Sequence, residues 1–201
     1  MNIYQLLLIL FSYLYGSIPF ALVIGKLIYK VDVRDFGSGN LGGSNTGRVL
    51  GKKAGLACII LDISKCFVCV LITQVLTKSW QLPDYGIYLS AVSCVIGHCY
   101  PIFANFKGGK AASVMFGYAL AKSFFAFAVV GIVFLVVLKI CKYVSLASII
   151  AVLTLVGLSS LFNYSDIGFY CNVFIAVLLI YRHRANIVRI KNKTENKISW
   201  L

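Results

Sequence analysis

The sequence predicts an all-α, polytopic integral membrane protein with about seven membrane-spanning segments, some of them short or broken. Of the 201 residues, 60% are apolar and only 12% are charged, and the mean hydropathy is +0.90. Soluble domains average about 45–50% apolar residues, so this excess indicates a lipid environment. The 19 Lys and Arg residues greatly outnumber the 6 Asp and Glu. They cluster at the ends of apolar runs, which the positive-inside rule explains better than nucleic-acid binding does.

The first predicted span runs from about Ile3 to Leu27 and is interrupted at Gly16-Ser17-Ile18-Pro19, because proline lacks the backbone donor of a helix interior. It has neither the basic start nor the small-residue cleavage site of a signal peptide, so we expect a retained membrane helix. Lys26, Lys30 and Arg34 follow it. They place the next loop in the cytoplasm and the N terminus outside.

That next loop is the glycine-rich stretch from Phe36 to Arg48. Glycine permits positive φ and lets backbone N–H groups crowd around a ligand, so the loop is predicted to bind an anion, with Arg48 adding a positive charge. A second span follows from about Ala54 to Leu76. It carries Asp62 and Lys65 on one helix face, where they either form a structural ion pair that supports the loop or contact a substrate.

The third predicted span, from about Ile87 to Phe103, returns the chain to the cytoplasm. It includes His98, which either caps and packs a helix end or serves the site. The span leads into Lys107-Gly108-Gly109-Lys110, directly before a helical run. Two glycines between two lysines suit a phosphate at a helix N terminus, and the alternative is a basic turn at the membrane surface.

The rest of the predicted topology follows from charge parity: two basic segments on the same side of the membrane must be separated by an even number of crossings. The stretch from Arg182 to Lys197 holds six basic residues and one acid, so it too is expected in the cytoplasm. An even number of crossings must then follow Lys110, whereas only three apolar blocks are visible. Splitting the first block at Lys122-Ser123 resolves this and gives seven segments, with the N terminus outside and the C terminus cytoplasmic.

Three polar stretches therefore share one membrane face: the glycine-rich loop, Lys107 to Lys110, and Arg182 to Arg189. In the third, His183 and Asn186 are three residues apart and face the same side of a helix. A site rich in basic and amide groups, without a carboxylate cluster, suits phosphorylated substrates rather than a divalent cation. The seven cysteines lie mostly in apolar runs and are expected to pack as small hydrophobes. No metal or organic cofactor is expected.

At these positions the sequence resembles the bacterial acyl-phosphate-dependent glycerol-3-phosphate acyltransferases of the PlsY type. The motifs occur in order over essentially the whole chain: Gly16 to Pro19, Gly37 to Asn40 through Asn45 and Arg48, Gly97-His98 with Pro101, Phe106 to Lys110, and Arg182 to Arg184 with Asn186 and Arg189. The departures are Gly43-Ser44 in place of Ala-Thr, Cys66 and Ala111 in place of glycines, and the lack of a glycine near Lys193, before Glu195.

The resemblance implies transfer of a fatty acyl group from acyl phosphate to the sn-1 hydroxyl of glycerol 3-phosphate, giving lysophosphatidic acid and phosphate in phospholipid synthesis. It implies a single membrane-embedded acyltransferase domain over residues 1–201, in the bacterial cytoplasmic (inner) membrane, with the site on the cytoplasmic side. The expected partners are acyl phosphate, glycerol 3-phosphate and membrane lipid, without nucleic acid. An association with the enzyme that produces acyl phosphate is left open.

Mapped by motif, the resemblance gives two groups of candidate residues. The catalytic candidates are Ser38, His183 and Asn186. The substrate-binding candidates are Arg48, Asn45, Lys107, Gly108, Gly109, Lys110 and Arg184, with Arg48 and Lys110 ranked first for the phosphates. His183 is either a general base or an orienting hydrogen-bond partner, since the substrate phosphate is also able to take the proton. Ser38 either forms an acyl-enzyme or only hydrogen-bonds, and hydrogen bonding is favoured.

A small membrane transporter or channel for an organic phosphate is the alternative function, because broken helices and basic residues also build anion pathways. Two observations disfavour it. The three polar stretches differ in sequence, so they are not internal repeats. All three also lie on one predicted face, whereas a conduction path needs polar groups on both.

Overall fold

The computed structural model describes residues 2–198, and in that range every regular element is helical. The α-helices are α1 Ile3–Gly16, α2 Phe20–Ile24, α3 Gly43–Leu50, α4 Lys52–Ser79, α5 Tyr85–Cys99, α6 Ala112–Lys122, α7 Phe124–Cys141, α8 Val144–Gly157, α9 Asp166–Arg182 and α10 Arg184–Lys191. A π-helix, Gly25–Tyr29, continues α2. The predicted all-α class is confirmed.

The predicted interruption of the first span is present. Helix α1 ends at Gly16, and the chain bends by 41° before the segment that begins at Phe20. The break leaves backbone groups without helical partners, which lipid cannot satisfy. The Ile18 carbonyl accepts a hydrogen bond from Lys65 Nζ at 3.0 Å, and the Ser17 hydroxyl donates to the Tyr13 carbonyl at 2.7 Å.

The predicted split at Lys122-Ser123 is also a helix boundary. Ser123 has extended backbone (φ −162°, ψ 121°) between α6 and α7. Its hydroxyl accepts a hydrogen bond from the Ala126 backbone N–H at 3.2 Å, so it acts as the N-cap of α7. The apolar block therefore forms two helices rather than one.

Within residues 2–198, three helical segments are long and apolar enough to cross a membrane: α4, α7, and α5 with its short extension to Ala104. The bent pair α1–α2 makes a fourth if it is one span. Helix α8 is apolar but has only 14 residues. Large apolar side chains on the outside of these helices are exposed, as at Ile132 (61%) and Ile140 (79%), which suits contact with lipid.

Helix α5 lies at the centre of the bundle, packed by α1, α4, α6 and α9. Small residues allow this close packing, since a side chain at Gly16 would overlap the backbone of Cys94. Six of the seven cysteines are buried and Cys141 is partly buried, so they pack as the sequence predicts. The short helix α3 lies against the start of α4 through Gly47 and Gly55, where a Cβ on Gly55 would come within 2.6 Å of the Gly47 Cα.

Two residues of α4 form a buried ion pair. Lys65 Nζ lies 2.9 Å from Asp62 Oδ1, and both side chains are at most 2% exposed. His98 Nδ1 lies 3.6 Å from the same carboxylate oxygen. Leaving one buried charge without its partner typically lowers the stability of a fold by about 3–5 kcal/mol. Pairing Asp62 with Lys65 avoids that loss within the buried part of α4. The contacts support the structural interpretation of Asp62 and Lys65.

Candidate active site

A cavity of about 560 Å³ lies where the three polar stretches meet. Its polar end is lined by residues from all three. These include Ser38, Asn45, Arg48, Lys110, His183 and Asn186. These six are candidates that the sequence analysis named, and the fold brings them together from positions that are far apart in the chain.

Asn45 holds the glycine-rich loop in shape. Its Oδ1 accepts a hydrogen bond from the Ser38 backbone N–H at 2.8 Å, and its Nδ2 donates to the carbonyls of Val33 (2.9 Å) and Phe36 (3.3 Å). The amide is almost fully buried and both of its N–H donors are used within the loop. Asn45 therefore positions Ser38, a different role from the predicted contact with substrate.

Arg48 lies one turn after Asn45 on α3 and lines the cavity. Its side chain is exposed, and no hydrogen bond or ion pair joins it to another residue of the described range 2–198. Its charge is therefore left for a ligand. A guanidinium is well suited to phosphate because it donates two parallel hydrogen bonds.

The glycines of the Lys107–Lys110 turn do not present free N–H groups to the cavity. The Gly108 and Gly109 N–H groups donate to the carbonyls of Cys99 (3.2 Å) and His98 (2.9 Å) at the end of α5. Their own carbonyls accept from the Arg182 guanidinium, both at 3.0 Å. The expectation that these N–H groups cradle a phosphate is therefore corrected: the glycines fix the turn that presents Lys110.

Close packing explains why residues 108 and 109 are glycines. A Cβ on Gly109 would overlap the imidazole ring of His98, and one on Gly108 would overlap the His98 carbonyl. His98 is itself buried between α4 and this turn. It therefore packs under the turn, which is one of the two roles that the sequence analysis allowed for it. It also lines the cavity beside Asp62.

Lys110 reaches from this turn to α10. Its Nζ donates to Asn186 Oδ1 at 2.7 Å. Burial, with the nearby positive charges of Arg189, Arg182 and Arg48, lowers the pKa of Lys110 to about 8, although Glu195 opposes the shift. The ammonium is therefore still charged at neutral pH, and a bound anion would raise its pKa and stabilise that charge.

His183 presents one ring nitrogen as an acceptor. Its Nδ1 lies 2.9 Å from the Leu179 carbonyl, which only accepts, so Nδ1 carries the hydrogen and Nε2 is left with a lone pair. Burial, reinforced by the charges of Lys110 and Arg182, lowers the pKa of His183 to about 4. At neutral pH the ring is therefore uncharged and suited to accept a hydrogen bond from a hydroxyl.

A second cavity of about 270 Å³ adjoins the first and shares Ser38, Asn40, Lys110 and Arg189 with it. It is strongly basic, because Lys107 and Arg182 also line it. Two neighbouring basic compartments separated by Ser38 and Lys110 provide room for two phosphate groups.

Away from the basic residues, the larger cavity is apolar. It passes between α4, α6 and α7 along phenyl, leucine and isoleucine side chains. A single cavity thus joins a cationic end to an apolar channel, which fits an amphiphilic ligand with an anionic head and an alkyl chain.

The sequence profile of the family described as "Glycerol-3-phosphate acyltransferase" matches residues 6–193, nearly the whole chain. This chain belongs to that family. The prediction made from the motifs is confirmed.

Relatives of similar length carry the family's name. The chain is 46% identical over 203 residues to the glycerol-3-phosphate acyltransferase of Listeria monocytogenes serotype 4a (strain HCC23), covering 100% of both chains. It is 43% identical over 194 residues to that of Bacillus cytotoxicus, covering 96% of this chain and 95% of the relative.

Two crystal structures of PlsY (YgiH), an integral membrane glycerol 3-phosphate acyltransferase, share the fold. The glycerol 3-phosphate form has a TM-score of 0.90 and 37% identity, covering 97% of this chain and 96% of that one. The lysophosphatidic acid form has a TM-score of 0.88 and 36% identity, covering 97% and 95%. The membrane character of the fold is thereby shown.

Two departures from the family's motifs lie at left-handed backbone. Ala111, which stands where the family usually has glycine, and Lys193, near which the family usually has one, have φ values of +68° and +57°. A side chain in this region costs about 1–2 kcal/mol, and glycine avoids that cost. Both positions therefore hold a conformation that glycine adopts at lower cost.

Arg184 lies outside both cavities. Its guanidinium stacks on the Tyr181 ring at 4.3 Å and donates to the Tyr181 carbonyl at 3.1 Å. The predicted substrate contact of Arg184 is therefore corrected. Arg182, two residues earlier, points to the site instead, where it fixes the carbonyls of the Lys107–Lys110 turn.

Glu195 lines the larger cavity, and the sequence analysis did not name it as a candidate. Its carboxylate accepts hydrogen bonds from Asn186 Nδ2 (2.6 Å), Arg189 Nε (2.7 Å) and the Ser145 hydroxyl (2.9 Å). Burial opposes ionisation, yet these hydrogen bonds lower the pKa of Glu195. Because Asn186 donates to Glu195, its Oδ1 is turned toward Lys110. The available signal was a single acid in a strongly basic segment.

The acidic and histidine side chains of residues 2–198 do not form a metal site. Within that range, no group of three or more His, Cys, Asp or Glu residues is arranged to hold a metal ion.

Proposed function

We propose that this chain transfers a fatty acyl group from acyl phosphate to the sn-1 hydroxyl of glycerol 3-phosphate, giving lysophosphatidic acid and inorganic phosphate in phospholipid synthesis. Acyl transfer to glycerol 3-phosphate follows from membership of the family. The observation that supports the donor is the single cavity with a basic end and an apolar channel. An acyl phosphate has that shape and polarity.

The reaction needs little covalent help from the protein, because acyl phosphate is an activated mixed anhydride. The hydroxyl oxygen attacks the acyl carbon, the bond from that carbon to the phosphate oxygen breaks, and phosphate leaves with the electron pair. The hydroxyl proton passes to a phosphate oxygen. The protein positions the two substrates and neutralises the charge of their phosphates.

We assign His183 the orienting role. A group with a pKa of about 4 holds a proton poorly at neutral pH, whereas phosphate groups titrate near 6. Before attack, the lone pair on Nε2 accepts the hydrogen bond of the hydroxyl and directs its oxygen toward the acyl carbon. As the new C–O bond forms, the proton leaves this hydrogen bond and passes to the phosphate oxygen. Asn186, held by Glu195 and bonded to Lys110, fixes the adjacent wall of the site.

The two basic cavities support separate places for the two phosphates. Arg48 and Lys110 are assigned to the larger cavity, and Lys107 to the smaller one. Ser38 lies at their junction. Within residues 2–198 no basic side chain is hydrogen-bonded to its hydroxyl, so we assign Ser38 hydrogen bonding to substrate rather than an acyl-enzyme.

The proposal includes a single domain over residues 1–201 with seven crossings, an outside N terminus and a cytoplasmic C terminus. The helix boundary at Ser123 supports the split on which the count depends. We place the site on the cytoplasmic side of the bacterial inner membrane, since the basic loops lie there. Cysteines introduced at Lys122 and Lys139 are expected to label from opposite sides, and labelling of both from one side contradicts the topology.

The proposal also includes an association with the enzyme that produces acyl phosphate. Because this donor is reactive, direct transfer between the two proteins would limit its hydrolysis in water.

The function is tested with purified protein in detergent, supplied with glycerol 3-phosphate and either acyl phosphate or acyl-CoA. We expect lysophosphatidic acid with acyl phosphate and none with acyl-CoA. Product from acyl-CoA alone would overturn the proposed donor. Absence of product with both donors, together with uptake of glycerol 3-phosphate by liposomes that contain the protein, would favour a transporter.

The affinity for glycerol 3-phosphate is expected to fall as the pH rises through about 8. Lys110 binds phosphate in its charged form, which is lost above its pKa of about 8, while the substrate phosphate keeps a constant charge above pH 7. The value of kcat/KM for glycerol 3-phosphate, which reports the free enzyme, should decline above pH 8. In Lys110→Arg the decline should be absent, because arginine stays charged. A flat profile in the wild type up to pH 10 would rule out this role for Lys110.

A further inference from the structure

We propose that Gly131 sets the length of acyl chain that the enzyme accepts. The inference rests on the proposed function, because it places the alkyl chain of the acyl donor in the apolar part of the cavity. Gly131 lies in the middle of α7 and lines that part.

Three phenyl rings bound the space beside Gly131. On α7, Phe127 precedes it by four residues and Phe134 follows it by three, so all three share one helix face. Phe116 of α6 packs edge-on against both rings, with centroids 6.2 Å from Phe127 and 5.4 Å from Phe134. A Cβ on Gly131 would meet no atom within 4 Å, so the space between the rings is open.

Packing does not explain the glycine. In a helix interior, glycine typically costs about 1 kcal/mol relative to alanine. Gly117 of α6 has a packing reason, since a Cβ there would overlap the Ile63 carbonyl of α4. Gly131 has no such neighbour and instead widens the channel between large side chains.

The position of Gly131 along the channel places it beside the middle of the donor's alkyl chain, away from the reacting acyl carbon. Val144 and Ser145, just after the end of α7, line the cavity near the polar end, where Ser145 bonds to Glu195. Along α7, the lining from Leu135 back to Phe127 therefore leads away from that end, over about 12 Å at 1.5 Å per residue. A side chain at residue 131 would block the passage of a long chain and leave the phosphate site intact.

The experiment compares wild type with Gly131→Leu on a series of saturated acyl phosphates from decanoyl to stearoyl. We expect kcat/KM for palmitoyl and stearoyl phosphate to fall about tenfold or more in the variant, the usual size of an overpacking effect. The value for decanoyl phosphate and the KM for glycerol 3-phosphate should stay near those of the wild type. The matched control is Gly157→Leu, whose Cβ also meets no atom within 4 Å but which lies outside the cavity.

An active Gly131→Leu enzyme with the chain-length profile of the wild type would overturn the inference, as would the same shift in Gly157→Leu. If Gly131→Leu is inactive with every donor, Gly131→Ala decides, since its smaller methyl group should still reduce the ratio of stearoyl to decanoyl turnover. An unchanged ratio in Gly131→Ala would then reject the role of Gly131. Failure of the wild type to use any acyl phosphate would instead reject the proposed function.

Discussion

His183→Ala is expected to lower kcat about 100-fold or more while the protein still inserts and folds. The imidazole supplies the acceptor that directs the attacking hydroxyl, and misplacement of a reacting group by about 1 Å typically costs that much. Folding should persist because His183 lies between α9 and α10, outside the packed centre of the bundle. Within residues 2–198, its side chain makes one hydrogen bond, to the Leu179 carbonyl.

The pH dependence of the wild type separates the two roles of His183. Its pKa of about 4 lies well below neutrality, so the ring loses its acceptor only when the pH falls through about 4. We therefore expect kcat to show no His183-dependent change between pH 6 and 9. A general base that titrates near neutrality would give an acid limb that disappears in His183→Ala. Turnover at the wild-type rate by His183→Ala would remove this residue from the site.

Arg48→Ala is expected to lower kcat/KM for glycerol 3-phosphate about 100-fold. Arg48 lines the cavity with its charge left for a ligand, and each hydrogen bond to a charged group typically contributes about 1.5–3 kcal/mol. Arg48→Lys should recover only part of the loss, because an ammonium does not reproduce the paired donors of a guanidinium. Steady-state kinetics with glycerol 3-phosphate as the varied substrate measures both effects.

Arg184→Ala provides the matched control for Arg48→Ala. It removes the same side chain from the same basic face of the protein, but from a position outside both cavities. Its kcat/KM should remain within about twofold of the wild type, because exposed charges contribute little. Equal losses in the two variants would show that overall surface charge, rather than a phosphate contact of Arg48, controls the reaction.

Local sequence rules predicted the breaks in the helices. Proline at position 19 removes a backbone donor, and the structure bends there. Charge parity required a boundary near Lys122, and Ser123 caps a new helix. The proline acts on its own helix and charge parity counts basic residues along the chain, so neither signal requires knowledge of the tertiary fold.

The sequence predicted the types of residue in the site better than their roles. Glycine and lysine spacing indicated a phosphate-binding turn, but the N–H groups of Gly108 and Gly109 are used by the end of α5. The choice of neighbours is a tertiary property, and spacing along the chain does not contain it. The same reason explains why Glu195 was missed: its importance comes from Ser145 and Asn186, which reach it from other helices.

Helix periodicity placed Asp62 and Lys65 on one face but left their role open. Their burial and their contacts with Ile18 and His98 support a structural role. The different positions of Arg182, which reaches the site, and Arg184, which lies outside it, depend on where α9 ends. The sequence does not define that end to within one residue, so it did not predict which arginine reaches the site.

The central claim, acyl transfer from acyl phosphate at a site for two phosphates, is tested most directly by following both products in one reaction. Purified wild-type protein is given acyl phosphate labelled in its phosphate and glycerol 3-phosphate labelled in its carbons. After subtraction of the hydrolysis measured without protein, we expect labelled inorganic phosphate and labelled lysophosphatidic acid to appear in equal amounts at equal rates. Release of phosphate without labelled lysophosphatidic acid would contradict the claim.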